Sequence, residues 1–348
     1  MNIALVHRYY SLNGAITPII DASIKEYNKQ EIKYFLFSEN LKGNENTRPF
    51  ANAIKFYWNI FQEIKQKKFD LVVTHSYPVC FLRPFIKTPI VLFIHNTGRE
   101  ENKVEVSSFS AKISAFFRAL SFRFADKLIS VSDMTRNIIL ENYEINPKKV
   151  VTVHNGVNID IFREVECNKD TKRFIILHRG TDARKGFDLV LSWSNSIIKK
   201  NPRIYFLILG KKNSIIPTKI SNHFKFIEWV NYKAMPEMYS LSDLVISPSR
   251  YDPFPGVPLE AMACKRPVMM SDMCGTKDLI KQGKNGFVSN LKNFPEEIIK
   301  VSKLSRKELS EIGNNARRTI VKDLSWPNII KKQRKVFKDV IRDNTYKK

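Results

Sequence analysis

No run of apolar residues in this chain reaches the ~18 that a membrane-crossing helix requires, so no spanning helix is expected. Cysteine is scarce too: Cys80, Cys167, Cys264 and Cys274 are scattered, without a Cys-x-x-Cys pair or framework spacing. That argues against a disulfide scaffold and a cysteine-held zinc, and it suits a reducing cytosol. The opening residues, Met1 to Arg8, lack the charged-then-apolar layout of a signal peptide. A cytosolic protein is therefore expected. Acidic residues are the remaining shortage. Only 34 Asp and Glu face 58 Lys and Arg, a formal net charge of +24. Such an excess favours polyanionic partners: nucleic acid, an anionic membrane surface, or acidic glycolipid and polysaccharide. Yet the basic residues are spread along the chain, and no RNP-like, zinc-finger or KH signature accompanies them. Nucleic acid is not the expected partner. A lysine-, asparagine- and isoleucine-rich composition also accompanies AT-rich coding, which accounts for part of the excess.

What is present is a chain long enough for two domains. Its 348 residues, 43% hydrophobic with 24 Phe, can bury substantial cores. Short β-branched or aromatic runs at residues 3–6, 34–37, 71–74, 90–94, 128–131 and 150–153 read as strands of a parallel sheet. Helical stretches are expected between them, near 16–27, 52–65, 111–123 and 135–143. The polar segment 41–50 reads as a mobile loop, and 163–172 as a linker. The alternation then restarts, with strands expected at 174–177, 204–209, 224–229, 244–247 and 268–271. Alternating β and α elements on both sides of a linker give two doubly wound domains. The helix at 107–126 interleaves Phe109, Phe116, Phe117, Phe122 and Phe124 with Lys112, Arg118 and Arg123. Such a stripe is more often core, although basic aromatic helices also lie on anionic bilayers.

The stretch around which the rest is organised runs from Ser249 to Val268: a Pro/Gly-rich loop and a short helix from Leu259 to Cys264, between two apolar strands. Pro258 suits a first helical turn, because its missing N–H would have no partner there. Backbone N–H groups near Gly256 and Val257 would then make an anion site at the positive helix end. Asp252 and Glu260 flank the loop, with seven residues between them. An acid in a first turn also serves simply as a cap, so Glu260 alone decides nothing.

The whole string, through Glu260-Ala261-Met262-Ala263-Cys264, resembles the Glu-x7-Glu nucleotide-sugar signature of family 4 glycosyltransferases, with Asp252 in the first acid's place. Further stretches carry the likeness. Arg179 and Lys185, in Arg-Gly-Thr-Asp-Ala-Arg-Lys-Gly-Phe, match the basic pair that grips the donor diphosphate, although His178 stands where Gly is usual. Tyr239-Ser-Leu-Ser-Asp243 resembles the step before the signature, and Lys265 replaces a usual glycine after it. Gly14 ends a loop similar to the family's glycine loop. His95 resembles the histidine placed near the donor sugar and is preferred to His75, which is read as a strand-end residue satisfied by backbone. Gly210 and Ile227 fall where the family meets the nucleotide and base, and His154-Asn-Gly-Val-Asn158 closes the first domain.

The resemblance implies an α/β protein of GT-B fold: two Rossmann-like doubly wound domains facing a cleft, with a C-terminal helix crossing back. Boundaries are expected at 1–163, 164–325 and 326–348. It implies a retaining, metal-independent hexosyltransferase, using a UDP- or GDP-type nucleotide sugar as substrate and no cofactor. No metal site is expected. Catalytic roles fall to Asp252, His95, Arg179 and Lys185. Donor binding falls to Glu260, Gly14, Gly256, Val257, Pro258, Gly210 and Ile227. The acceptor would be a glycan or lipid-linked glycan of bacterial surface polysaccharide, such as lipopolysaccharide or capsule. An anionic membrane surface is a further partner. The rival readings are a GT-B sugar-nucleotide epimerase, a non-catalytic subunit of a glycosyltransferase pair, and a nucleic-acid binder.

Overall fold

Leu71-Val72-Val73-Thr74 and Ile90-Val91-Leu92-Phe93-Ile94 offer water almost nothing to hydrogen-bond, and every one of these residues is buried. Strands of this kind need cover on both faces, which a parallel sheet flanked by helices supplies. In the computed structural model, described for residues 1–9, 17–30, 32–39, 49–97, 109–212 and 216–345, two such sheets form. The chain divides into Met1–Gly156 with Trp326–Lys348, and Val157–Ser325.

The first unit runs β1 (Asn2–Tyr9), α1 (Thr17–Lys29), β2 (Lys33–Glu39), α2 (Pro49–Gln66), β3 (Leu71–Thr74) and a 3₁₀ stretch, Tyr77–Phe85. It continues through β4 (Ile90–Ile94), α3 (Phe109–Phe124), β5 (Lys127–Ser130), α4 (Asp133–Asn142) and β6 (Val150–Thr152). The strand order is β2-β1-β3-β4-β5-β6, all parallel. Its core gathers Val6, Val72, Ile90, Leu92, Phe122 and Leu128. Ser132 caps α4, its Oγ accepting the Thr135 N–H at 3.1 Å. The loop expected to be mobile lies outside the described residues, apart from Pro49 and Phe50, which open α2.

The second unit runs β7 (Phe174–Arg179), α5 (Phe187–Lys200), β8 (Ile204–Leu209), β9 (Phe224–Ile227), α6 (Met235–Leu241), β10 (Leu244–Ser247) and α7 (Gly256–Ala263). Then follow β11 (Val268–Ser271), β12 (Phe287–Ser289), α8 (Phe294–Val301) and α9 (Arg306–Thr319). This sheet is ordered β12-β11-β10-β7-β8-β9, again parallel. Its core includes Ile176, Phe187, Phe206, Ile246, Met269 and Phe294. Three details depart from the sequence reading. The signature helix starts at Gly256 rather than Leu259, Trp229 lies beyond β9, and β12 was not foreseen.

The closing helix α10 (Trp326–Thr345) belongs to the first unit. Gln333 and Tyr27 meet in its core, the phenol donating to Oε1 at 2.7 Å. Gly156 is needed here: a Cβ on it would lie 2.5 Å from the Trp326 ring. The residues after Gly156, up to the expected boundary at 163, join the second unit instead, because Val157 bridges to Ser325 and its N–H bonds Leu324 O at 2.8 Å. On α3 Phe122 is fully buried in the core, whereas Phe116 and Phe117 are 61% and 51% exposed. For those two, the expectation of burial does not hold.

Candidate active site

In the second sheet the chain winds from β7 out to β9, then returns across β7 to build β10, β11 and β12. The connections leaving β7 and β10 therefore diverge, which opens a crevice beyond their carboxyl ends. Both halves of the expected site emerge there. β7 ends at Arg179 and turns through Gly180 and Gly186, at φ +100° and +79°. Gly186 is required twice over, since a Cβ would also lie 2.1 Å from Pro248 O. Between the glycines, Asp182 caps a short 3₁₀ turn, its carboxylate accepting the Lys185 N–H at 3.0 Å. Arg250 then clamps this turn to the loop after β10. Its guanidinium forks onto Asp188 at 2.8 and 2.6 Å, and its N–H bonds Arg184 O at 2.9 Å.

The clamp sets Lys185 against Asp252, Nζ to Oδ2 at 2.5 Å. Asp252 is only 6% exposed. Its backbone is pinned on both sides, the N–H to Met273 O at 3.1 Å and the C=O to Gly275 N–H at 2.8 Å. The other carboxylate oxygen accepts the Phe254 N–H at 3.3 Å. A second ion pair stands beside the first: Arg179 Nη1 lies 3.3 Å from Glu260 Oε2. Tyr239 donates its phenol to that same oxygen at 2.7 Å. Burial pushes the Glu260 carboxyl above its ordinary range, while Arg179 and the Tyr239 bond pull it back. Burial, then Glu260, raises the Tyr239 phenol well above its ordinary value, so it remains a donor. The sequence reading assigned these four charged residues separately. The structure joins them as two cation–carboxylate pairs.

Gly256 and Val257 open α7, and Pro258 occupies its third position. The first N–H groups of a helix have no intrahelical acceptor, and the helix dipole favours an anion there. A Cβ at Gly256 would meet only Glu260 Oε1, at 3.8 Å, so its glycine is not forced by crowding. It leaves the approach to those N–H groups bare. Gly210 sits at φ +149°, its N–H bonded to Ile227 O at 3.0 Å, which brings these two residues together at the ends of β8 and β9. His178, where glycine was expected, is 1% exposed and stacks on Phe187 at 6.0 Å. Burial pushes its imidazole down to about 4.

The first unit places three histidines at the carboxyl ends of its own β1, β3 and β4. His75 Nδ1 and His95 Nε2 lie 2.7 Å apart, with rings stacked at 5.0 Å. His7 stands edge-on to His75 at 5.9 Å, and Phe93 also stacks on His75, at 4.8 Å. His75 is therefore held by a side chain, contrary to the expected backbone satisfaction. Burial lowers both imidazoles, His95 to about 4, helped by the neighbouring histidines. At neutral pH the facing nitrogens share one proton, one donating and one accepting. Gly14 lies outside the described residues. Sequence reasoning gave no role to Tyr239, Arg250 or His7. Only Tyr239 carried a signal, its place in the motif before the signature.

Among the described residues, no group of three or more His, Cys, Asp or Glu is placed to hold a metal ion. The family described as Glycosyl transferases group 1 matches residues 158–319, and Glycosyltransferase Family 4 matches residues 37–161. A glycosyltransferase of Methanocaldococcus jannaschii, itself uncharacterized, is 25% identical over 340 residues, covering 86% of each chain. The UDP-Gal:alpha-D-GlcNAc-diphosphoundecaprenol alpha-1,3-galactosyltransferase of Escherichia coli is 23% identical over 313 residues, covering 82% of this chain and 78% of that one. Among solved structures, Anabaena HepE in complex with UDP and glucose superimposes with a TM-score of 0.73 at 14% identity, covering 97% and 100%.

Proposed function

The chain belongs to the family 4 glycosyltransferases, with the two parallel sheets of the GT-B fold, and from that premise we propose that it transfers a hexose-type sugar, with retention of configuration, from a UDP-sugar to a lipid-linked or glycan acceptor of bacterial surface polysaccharide. The observation that carries the reading is the pair of ion pairs at the switch point, Lys185–Asp252 and Arg179–Glu260. As the anomeric carbon parts from phosphate, negative charge grows on the leaving diphosphate. Lys185, Arg179 and the opening N–H groups of α7 are fixed dipoles and charges for it. Glu260, held by Tyr239, takes the ribose hydroxyls, and Asp252 takes a hydroxyl of the donor sugar. His95 is assigned to the reacting sugar. The acceptor oxygen bonds the anomeric carbon on the face the diphosphate leaves, and its proton passes to a departing phosphate oxygen. UDP is favoured over GDP because the Escherichia coli relative is named for UDP-Gal and the Anabaena neighbour was solved with UDP.

With cations supplied by Arg179 and Lys185, turnover in excess EDTA is expected to stay close to that with magnesium. The check is a panel of nucleotide sugars, first by thermal shift and then by product formation. A donor at about 100 times its Kd should stabilise by roughly 2.7 kcal/mol. A panel with no stabilising donor sinks the assignment, and activity abolished by chelation and restored by Mn²⁺ sinks the diphosphate roles.

The lipid-linked acceptor is supported by a patch on the first unit. Ile54 and Trp58 on α2, Phe85 on the 3₁₀ stretch, and Phe116 and Phe117 on α3 are each more than half exposed. Ring contacts form two groups: Phe61 meets Trp58 at 5.6 Å and Phe85 at 6.5 Å, and Phe117 meets Phe116 at 5.7 Å and Phe81 at 6.1 Å. Exposed Lys55 and Arg123 lie on the same two helices. Apolar rings beside cations suit the surface of an anionic bilayer. Co-sedimentation with anionic vesicles is expected, weakening steeply as salt rises toward physiological strength. Equal partition onto neutral vesicles would count against it.

A further inference from the structure

The polar stretch expected to be a linker does more than connect. Glu164 and Lys169 fold onto the second unit at the amino ends of β7, β10 and β11, the opposite end of the sheet from Arg179 and Lys185. Lys169 Nζ bonds Asp243 and Ser242 O, each at 2.7 Å. Asp243, 2% exposed, also takes the Arg306 guanidinium and the Ile175 N–H. Glu164 takes Lys265 at 3.1 Å and Arg266. These six charged residues line a cavity of about 110 Å³, room for several waters.

The charges do not balance: four cations face two carboxylates. The buried carboxylate already accepts from three donors, whereas Lys265 and Arg266 retain N–H donors that no acceptor in the cluster uses. Burial is the main cause that pushes the Lys169 ammonium down to about 7, with Arg266 and Arg306 adding to it.

A second observation is independent of charge. Lys265 has φ +57°, the left-handed region that disfavours a residue with a Cβ. The turn is fixed by packing, since a Cβ on Gly313 of α9 would lie 2.1 Å from Lys265 O. Glycine would sit there unstrained, yet the chain carries a lysine whose ammonium lines the cavity. Strain held at one position is a reason to look for a function there.

We propose that this cavity, lined by Lys169, Lys265, Arg266 and Arg306, is an anion site separate from the donor site and takes a tetrahedral oxyanion of the phosphate class. An incoming phosphate supplies the missing negative charge and accepts the donors that Glu164 and Asp243 leave over.

The test titrates inorganic phosphate against chloride at equal ionic strength and follows the melting temperature. Phosphate can also land on Arg179 and Lys185, so the Arg179→Gln/Lys185→Gln protein is the reference. In it the phosphate-specific rise should persist. Lys265→Gly should melt in chloride no lower than wild type, its strain relieved, and bind phosphate about tenfold more weakly. Arg266→Gln should weaken phosphate similarly. Equal responses to phosphate and chloride in the reference protein overturn the proposal, as does Lys265→Gly added to the reference protein without weakening its phosphate titration. The donor-site reading fails separately, on nucleotide sugars.

Discussion

Lys185→Gln is expected to lower kcat by about a thousandfold, the upper range for losing one electrostatic contact to charge that develops in a transition state. The side chain has two partners in this reading. One is the leaving diphosphate, where a neutral amide cannot replace a cation. The other is Asp252, 6% exposed and 2.5 Å away. Removing the ammonium leaves that carboxylate without a cation, and breaking a buried pair from one side costs on the order of 3 kcal/mol. The variant should therefore lose both stability and turnover. Adding Asp252→Asn should restore much of the stability, because the unpaired charge is gone, but none of the turnover. That split separates the two partners. Arg179→Gln should cost less, since Arg179 is 40% exposed and its contact to Glu260 is longer, at 3.3 Å. Turnover by Lys185→Gln within tenfold of wild type would remove the residue from the mechanism.

Much of this fold is legible because its strands are buried on both faces. Runs such as Ile204–Leu209 and Leu244–Ser247 are continuous apolar stretches ended by polar or turn residues, so their limits are visible in the chain. β12 is not visible for the opposite reason. Phe287–Ser289 is three residues long, follows a glycine turn, and is a strand only because β11 offers it an edge. The exposed rings of α3 mislead for a related reason: an aromatic stripe looks the same in sequence whether it faces a core or a partner.

The site divides in the same way. Each motif stands at a strand end, where alternation alone places it. The pairing does not follow from spacing, because Lys185 and Asp252 are 67 positions apart and Arg179 and Glu260 are 81 apart. Those distances close only when β10 returns beside β7, and that is a property of strand order. The same holds for His75 and His95, joined because β3 and β4 are neighbours. Lys265 shows the converse. Its replacement of glycine is plain in the sequence, but the left-handed backbone and the cavity beside it are not.

Asp252→Asn is expected to lower kcat by about 100-fold while leaving nucleoside-diphosphate binding nearly unchanged. Asp252 stands where the family's signature has glutamate, and an aspartate is shorter by one methylene. In the proposed reading the loop compensates. Pro255 holds φ −62° at the cap of α7, and the backbone of Asp252 bridges to Cys274, so the carboxylate is carried to within 2.5 Å of Lys185. In the proposed reading its remaining acceptor capacity is for the donor sugar. A carboxylate there strengthens its hydrogen bond as the ring gains positive charge, and a neutral amide does not, so the loss appears in kcat. In that reading nucleotide affinity rests on Glu260, Tyr239 and Arg179, whose mutual contacts the substitution leaves in place. Glu260→Gln should show the reverse order, weakening nucleotide first. The packing also gives Asp252→Glu a definite sign. With the carboxylate 6% exposed and already in contact with the ammonium, an extra methylene has nowhere to go. Restoring the family's usual acid should therefore reduce turnover rather than raise it. Wild-type kcat in Asp252→Asn, or a faster Asp252→Glu, would mean that this carboxylate serves the loop and not the sugar.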